Sequence, residues 1–381
     1  MSHLLISAAH KSSGKTTITV GLCAALTARS VTVQPFKKGP DYIDPLWLSQ
    51  AAQRPCYNLD FYTMGREEIK QRFFQYNQDA DISIIEGNKG LYDGMDVEGS
   101  DSNAALACLL EIPVILVIDT KGMTRGIAPL LLGYQLFSKK TNIAGVILNQ
   151  VGGERHASKL RTAVEYHTDI KVLGTVWRCA DLEIKERHLG LIPSNEDNQA
   201  QTKIAKIAEL IASQVDLDQI IAQNSSNQKC SIPTTVSFPK AEKILIKIGV
   251  IRDAAFGFYY PDDLIALQTA GAKLIFIDAI HDARLPPVDA LFIGGGFPET
   301  KMLELANNIS LKQDIHLAIE QDMPVYAECG GLMYLSRKII WQQQSYEMVG
   351  ILPFDTIMEI QPQGRGYVHL AEIGTGLWPS L

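Results

Sequence analysis

This sequence has no paired cysteines, no apolar run long enough for a bilayer and no excess of positive charge. Its six cysteines (Cys23, Cys56, Cys108, Cys179, Cys230 and Cys329) are scattered and include no C-x-x-C. That pattern excludes a disulfide framework and a cysteine zinc site, and it suits a reducing cytoplasm. No hydrophobic stretch reaches the roughly 18 residues of a membrane span, so no membrane partner is expected. Met1-Ser2-His3 runs straight into an apolar segment, without the layout of a signal peptide. Lysine and arginine number 35 against 42 aspartates and glutamates, a net charge of -7. A nucleic-acid binder usually carries a basic face, so nucleic acid is not an expected partner. Internal repeats and low-complexity tracts are also missing.

What remains is an ordinary globular composition over 381 residues, 46% hydrophobic and 20% charged, long enough for two or three domains. Buried strands are expected at 3–9, 82–85, 113–118, 143–148 and 170–176, with helical patterns between them and one more amphipathic helix over 203–222. Strands alternating with helices imply a mostly parallel α/β sheet. The polar, proline-bearing stretch 223–243 reads as a linker. The rhythm then restarts at 246–251, 273–277, 290–296 and 324–329. The expected organisation is an α/β domain over 1–222, the linker, and a second α/β domain over 244–381.

Ala9-His10-Lys11-Ser12-Ser13-Gly14-Lys15-Thr16-Thr17 follows a strand and opens a helix, the context a P-loop requires. Backbone N–H groups of Ser12, Ser13, Gly14, Lys15, Thr16 and Thr17 would cradle phosphates at the helix N-terminus. Lys15 would reach the β- and γ-phosphates, and the Thr16 hydroxyl would hold Mg²⁺. ATP and Mg²⁺ are therefore the expected cofactors. Ala9 stands where the standard motif has its first glycine. A partitioning-type ATPase switch would carry a further lysine at the position of His10, so that reading is the alternative of another class.

The segment 34–45 (QPFKKGPDYIDP) reads as a rigid, proline-bounded loop in which Asp41 and Asp44 sit beside Lys37 and Lys38. Glu86 ends a strand in EGNKGLYDG, with Asp93 seven residues on. Mg²⁺ takes one or two carboxylates besides phosphate oxygens and water, which makes Asp41 and Glu86 metal or substrate candidates. The alternative for Asp41, Asp44 and Asp93 is a solvated turn residue. Asp119, at another strand end, is either a further candidate or a cap for the Gly122 turn.

In the second half, PVYAECGGLMYL reads as strand, sharp turn and helix, with Cys329 on the turn. Such a thiol is exposed near a helix N-terminus, which lowers its pKa and presents a nucleophile. A buried strand-end cysteine is the alternative. Gly294-Gly295-Gly296 follows another strand, and the backbone N–H groups of Gly295, Gly296 and Gly330 are candidates for an oxyanion hole. The histidines show no paired metal-ligand spacing.

GKTT, QPFKKGPDYIDP, EGNKGLYDG, GVILNQVGGERH and ERHLGL, in this order, resemble the cobyrinic acid a,c-diamide synthase family over essentially the whole chain. The resemblance implies a dethiobiotin-synthetase-like P-loop synthetase domain joined to a class I-like glutamine amidotransferase domain. It implies an ATP-dependent ligase of cobalamin biosynthesis, in which ATP phosphorylates a side-chain carboxylate and nitrogen displaces the phosphate. Thr16, Asp41 and Glu86 would then bind Mg²⁺, and Asn149 the adenine. Tyr42, Asp44 and Asp93 would lie near the tetrapyrrole carboxylate. Lys37, Lys38 and Lys89 are available to bind other carboxylates of such a macrocycle, the alternative being solvated surface lysines. Lys15, Asp44, Asp93 and Cys329 form the expected catalytic set. The expected small-molecule partners are a tetrapyrrole polycarboxylate and glutamine or ammonia; a homodimer is compatible with this reading.

The family form has Val-Met where this chain has Asn88-Lys89, so sirohaem or Ni-sirohydrochlorin stays open as substrate. A subunit that only binds tetrapyrrole is a third alternative. The family's glutaminase histidine lies in a late GHEFHYS-like segment that is missing before Leu381. His369, in GYVH, is the only histidine after Cys329 and matches a strand ahead of that segment. The second domain is therefore expected to be C-terminally incomplete. His188, within ERHLGL, is the one histidine for which the resemblance leaves a substrate contact open.

Overall fold

The computed structural model describes residues 2–179, 184, 186–187, 190–222, 245–361, 363–364, 366 and 368. The expected linker 223–243, His188 and His369 lie outside the described residues. The chain begins β1 (Ser2–Ala8), α1 (Lys15–Ala28), β2 (Val33–Lys38), α2 (Ile43–Ala52), β3 (Tyr57–Leu59), α3 (Arg66–Tyr76) and β4 (Ile82–Glu86). It continues with α4 (Asn103–Leu110), β5 (Val114–Asp119), α5 (Ile127–Phe137), β6 (Ile143–Val151), α6 (Glu154–His167) and β7 (Lys171–Trp177). A short pair, β8 (Glu186–Arg187) and β9 (Gly190–Leu191), precedes α7 (Ala200–Gln214) and α8 (Leu217–Ala222).

Strands β1 to β7 form one parallel sheet in the order β3-β2-β4-β1-β5-β6-β7. Both faces are covered, as a parallel sheet demands. Leu4 and Ile6 enter a core with Trp47, Leu48 and Ile207, while Leu5 between them points into another with Phe36, Phe73 and Leu116. The chain leaves β1 leftward to β2 and crosses from β4 rightward to β5. Ligands of such sheets bind at the carboxyl ends beside this switch, where the loop 9–14 lies.

Two expectations are corrected here. Residues 34–38, expected as part of the loop 34–45, belong instead to the interior strand β2. Pro35 is tolerated because pairing with β3 begins only at Phe36, one residue beyond the missing N–H. The single helix expected over 203–222 breaks at Val215-Asp216. Val215 bridges Gly174, the Asp216 N–H donates to the Leu173 carbonyl, and Asp216 Oδ1 accepts from Gln219 N–H to start α8. Helix α7 packs tightly on α1: a Cβ on Gly21 would lie 2.4 Å from Ile211 Cγ1 and 2.8 Å from Ile207 Cγ2.

The second unit runs β10 (Ile246–Ile251), β11 (Phe256–Phe258), α9 (Pro261–Thr269), β12 (Ala272–Ile277), β13 (Ala290–Ile293), β14 (Gly295–Gly296), α10 (Met302–Asn307), α11 (Ile309–Glu320), β15 (Val325–Ala327) and α12 (Gly330–Leu335). It ends in β16 (Lys338–Trp341), β17 (Gln344–Glu347) and β18 (Thr356–Ile357). A parallel sheet orders β12-β10-β13-β15, and β11 pairs antiparallel with β14. The strand expected over 290–296 is therefore two. Gly294 N–H leaves the ladder to donate to the Tyr259 hydroxyl, and the next two glycines turn to β11. Among the described residues no helix is long and apolar enough to cross a membrane.

Candidate functional site

The carboxyl ends of β1, β2, β4 and β6 border a cavity of about 450 Å³, lined by Gly14, Lys15, Thr16, Lys37, Glu86 and Asn149 among others. The loop before α1 is held open by two left-handed residues, Ser12 at φ 62° and Gly14 at φ 82°. Only glycine fits the second position: a Cβ there would meet Asn149 Nδ2 at 2.3 Å. Asn149 reaches across from β6 and donates through Nδ2 to the Ser13 carbonyl at 2.9 Å. Its amide nitrogen is thus engaged with the loop itself. Ser13 Oγ donates to the His10 carbonyl, and the Tyr134 hydroxyl donates to the Ala9 carbonyl.

At the first turn of α1, Thr16 Oγ1 donates to Glu86 Oε1 at 2.6 Å and lies 3.3 Å from Asp44 Oδ2. Lys37 Nζ bridges the same two carboxylates, 2.5 Å from Asp44 Oδ2 and 3.1 Å from Glu86 Oε1. Burial alone would depress the Lys37 ammonium, but Asp44 and Glu86 outweigh it and hold it well above the ordinary lysine range. Burial pushes Glu86 up to about 7, and Asp44 adds to this; Lys37 and the Thr16 hydroxyl oppose it. Glu86 Oε2 is buried with no hydrogen-bond partner among the described residues. Lys15 is drawn down to about 8, first by burial and then by Lys37, with Glu86, Asp44 and Asp93 pulling upward.

Asp41 lines the same cavity, but its Oδ1 accepts from the Ile43 and Asp44 N–H groups and so caps α2. Burial raises it to about 6, with Asp44 adding and Lys37 opposing. The carboxylate brought onto Thr16 beside Glu86 is Asp44. Asp93 is exposed and accepts from the Gly90 N–H at 2.9 Å. Asp119 accepts from the Lys121 N–H, as a cap of the Gly122 turn would, and also lines the cavity.

The lysines are corrected. Lys37 and Lys38 are buried, the first in the ion pair and the second donating to Asn88 Oδ1 at 3.2 Å. Neither reaches into solvent; Lys89 is exposed and lines the cavity. Tyr42 does not line the cavity but stacks on Phe258 and Tyr260 of the second unit. Asn103 gave no signal in the sequence. Its buried Nδ2 donates to Ser7 Oγ and to the Asn88 and Gly90 carbonyls, which ties the 88–90 loop to β1.

In the second unit Cys329 caps α12 with φ 49° and ψ −115°, a strained turn that leaves it exposed. A Cβ on Gly295 would lie 3.4 Å from Cys329 Cβ, and one on Gly330 would lie 3.0 Å from the Gly296 nitrogen. The Gly330 and Gly296 N–H groups face the sulfur. They do not lower the thiol overall, contrary to expectation. Partial withdrawal from water at the turn dominates, the Glu328 and Glu299 carboxylates add to it, and the thiol stands above the ordinary cysteine range.

Among the described residues no group of three or more His, Cys, Asp or Glu gathers for a metal. Two carboxylates and a hydroxyl at a P-loop are instead the partial set that Mg²⁺ completes with phosphate oxygens and water. The partnerless Glu86 Oε2 fits such an ion.

Residues 5–192 match the CobQ/CobB/MinD/ParA nucleotide binding domain, and residues 247–376 match the CobB/CobQ-like glutamine amidotransferase domain. The cobyrinate a,c-diamide synthase of Magnetococcus marinus is 45% identical over 383 residues, covering 99% of this chain and 82% of that protein. Those of Methanosarcina barkeri and Picrophilus torridus are each 43% identical, covering 98% and 93% of this chain and 80% of each relative.

Proposed function

This chain belongs to the cobyrinate a,c-diamide synthase family, and from that membership we propose that it amidates side-chain carboxylates of a tetrapyrrole, the a and c groups of cobyrinate. It is an ATP-dependent carboxylate-amide ligase of the glutamine-hydrolysing type. The observation that carries the reading is the convergence of Thr16, Asp44 and Glu86 beside Lys15 at the P-loop.

A carboxylate does not react with ammonia until it bears a leaving group. Its oxygen attacks the γ-phosphorus of ATP, ADP departs, and an acyl phosphate forms. Ammonia then attacks the acyl carbon, phosphate leaves, and the amide remains. Lys15 and the N–H groups of residues 12–17 neutralise and orient the phosphates, the main contribution a protein makes to phosphoryl transfer. Thr16, Glu86 and Asp41 or Asp44 would hold Mg²⁺, which supplies charge neutralisation at the β- and γ-oxygens. Asp44 and Asp93 orient the acceptor acid, and Lys89 meets its other carboxylates. Asn149 keeps Ser13 and Gly14 in the phosphate-binding shape, and its Oδ1 would accept from the adenine.

For nitrogen, the Cys329 sulfur attacks the glutamine amide carbon and the thiol proton passes to the leaving nitrogen. The oxyanion faces the N–H groups of Gly295, Gly296 and Gly330, ammonia departs, and water cleaves the thioester to glutamate. The test is mass spectrometry of products from ATP, Mg²⁺ and cobyrinic acid, with glutamine and ammonium in parallel. Ammonium-supported amidation is expected to survive Cys329→Ala and to vanish in Lys15→Ala. Loss of the ammonium reaction in a folded Cys329→Ala protein contradicts this division of roles.

A further inference from the structure

Trp177 ends β7 and is 47% exposed, and it is the one aromatic residue among the described residues that line the cavity. Its main chain is fixed on two sides. The Trp177 N–H donates to Gln214 Oε1 at 2.8 Å, and the residue pairs with Val151 of β6, whose carbonyl accepts from the Arg178 N–H. The strand end is therefore rigid while the indole stands half in water at the cavity.

The strand order gives the cavity two unlike ends. On one side of β1, strands β2 and β4 bring Lys37 and Glu86 to the first turn of α1, with Asp44 beside them. On the other side, β6 and β7 bring Asn149 and Trp177, and α7 adds Leu210 and Ile211. The phosphate loop leaves β1 between the two. Paired charges suit the first end to a metal and the terminal phosphates. The rest of a nucleotide then runs toward β6 and β7. From β1 to β7 is three strand spacings, about 14 Å, which an extended nucleotide spans and its phosphates alone do not. A flat aromatic face beside aliphatic side chains is what a purine ring meets favourably, by stacking.

We propose that the Trp177 indole is the surface on which the purine of the bound nucleotide stacks, which makes Trp177 a binding residue for the base rather than for the phosphates. The proposal rests on the reading above in that the phosphates bind at the P-loop. A stack uses the face of the ring and reads no edge. The hydrogen bonds that tell one purine from another therefore come from other groups.

The test measures the affinity of the full chain for Mg·ATP, for inorganic tripolyphosphate with Mg²⁺, and for cobyrinic acid. It uses the native chain and the variants Trp177→Ala, Trp177→Leu and Trp177→Phe, with unfolding midpoints to confirm that each is folded. Trp177→Ala and Trp177→Leu, the second keeping apolar bulk without the aromatic face, are expected to bind Mg·ATP about tenfold or more weakly. Trp177→Phe keeps most of the affinity, and tripolyphosphate binds all four proteins alike. In the native chain Mg·ATP quenches tryptophan emission and tripolyphosphate does not; the quench is lost in Trp177→Phe although nucleotide is still bound. Mg·ATP affinity within twofold of native in both the Ala and Leu variants overturns the proposal. So do equal losses for Mg·ATP and tripolyphosphate, which would make Trp177 a support of the loop, and a loss confined to cobyrinic acid, which would turn the ring toward the macrocycle. A native chain that binds neither Mg·ATP nor tripolyphosphate removes the P-loop reading and the proposal together.

Discussion

Lys37 and Glu86 stand in register on neighbouring strands and form an ion pair at 3.1 Å, with the two side chains only 3% and 0% exposed. Together with Asp44, they make the lysine an internal counter-ion rather than a ligand-binding arm. Its ammonium offsets the negative charge of the two carboxylates gathered beside Thr16.

Removing that counter-ion leaves buried charge uncompensated. Lys37→Met is expected to destabilise the nucleotide domain by about 3–5 kcal/mol, read as the loss in unfolding free energy in denaturant. A loss below about 1 kcal/mol, within the range of an exposed pair, contradicts the buried-pair account.

Gly14→Ala combines a left-handed backbone position with a Cβ driven into Asn149 Nδ2 at 2.3 Å. The loop loses its phosphate-binding shape while the sheet beneath it stays intact. Titration calorimetry with Mg·ATP is expected to show at least a hundredfold weaker binding. Asn149→Ala in the same background recovers part of it, because the clash is gone. Equal binding by Gly14→Ala and the native chain contradicts the assignment.

Gly21→Ala overpacks the α1–α7 contact, at an expected cost of about 1–3 kcal/mol. Ile211→Ala opens a cavity at the same place. The double variant is expected to be more stable than the sum of the two losses by about 1 kcal/mol or more, since each defect relieves the other. Strict additivity in a double-mutant cycle refutes the contact.

Asp253 accepts N–H bonds from Ala255, Phe256 and Ala279, but burial wins and raises its carboxyl to about 6, with Asp278 adding to the shift. The folded chain then holds this proton more tightly than the unfolded one does. The stabilisation is full below the ordinary value of 3.8 and is lost as pH rises through about 6. Asp253→Asn removes this dependence. Its melting temperature, compared with that of the native chain, is expected to shift in the variant's favour between about pH 4 and pH 7. A constant difference across that window contradicts the raised value.

Local pattern made much of this readable. Strands β1, β4, β5 and β6 are continuous apolar runs because both faces of a parallel sheet are covered. Gly-Lys-Thr-Thr between strand and helix admits few other uses. Strand β2 was hidden, because a proline and two lysines break the apolar signal. They are tolerable only once β3 starts pairing after Pro35 and the lysines find Asp44, Glu86 and Asn88. The sharp turn at Cys329 was visible, but the direction of its pKa shift was not. That depends on Glu328, Glu299 and two glycine N–H groups that converge only on folding.

The sequence alone determined the two α/β units, the phosphate loop and the cysteine turn, since each is written in contiguous residues whose propensities and spacing act locally. Which carboxylate meets Thr16, which lysines are spent on ion pairs, and that Tyr42 faces the second domain were decided only by tertiary structure. These relationships join residues tens to hundreds of positions apart. Burial, charge compensation and ring stacking act through space, and no local pattern encodes them.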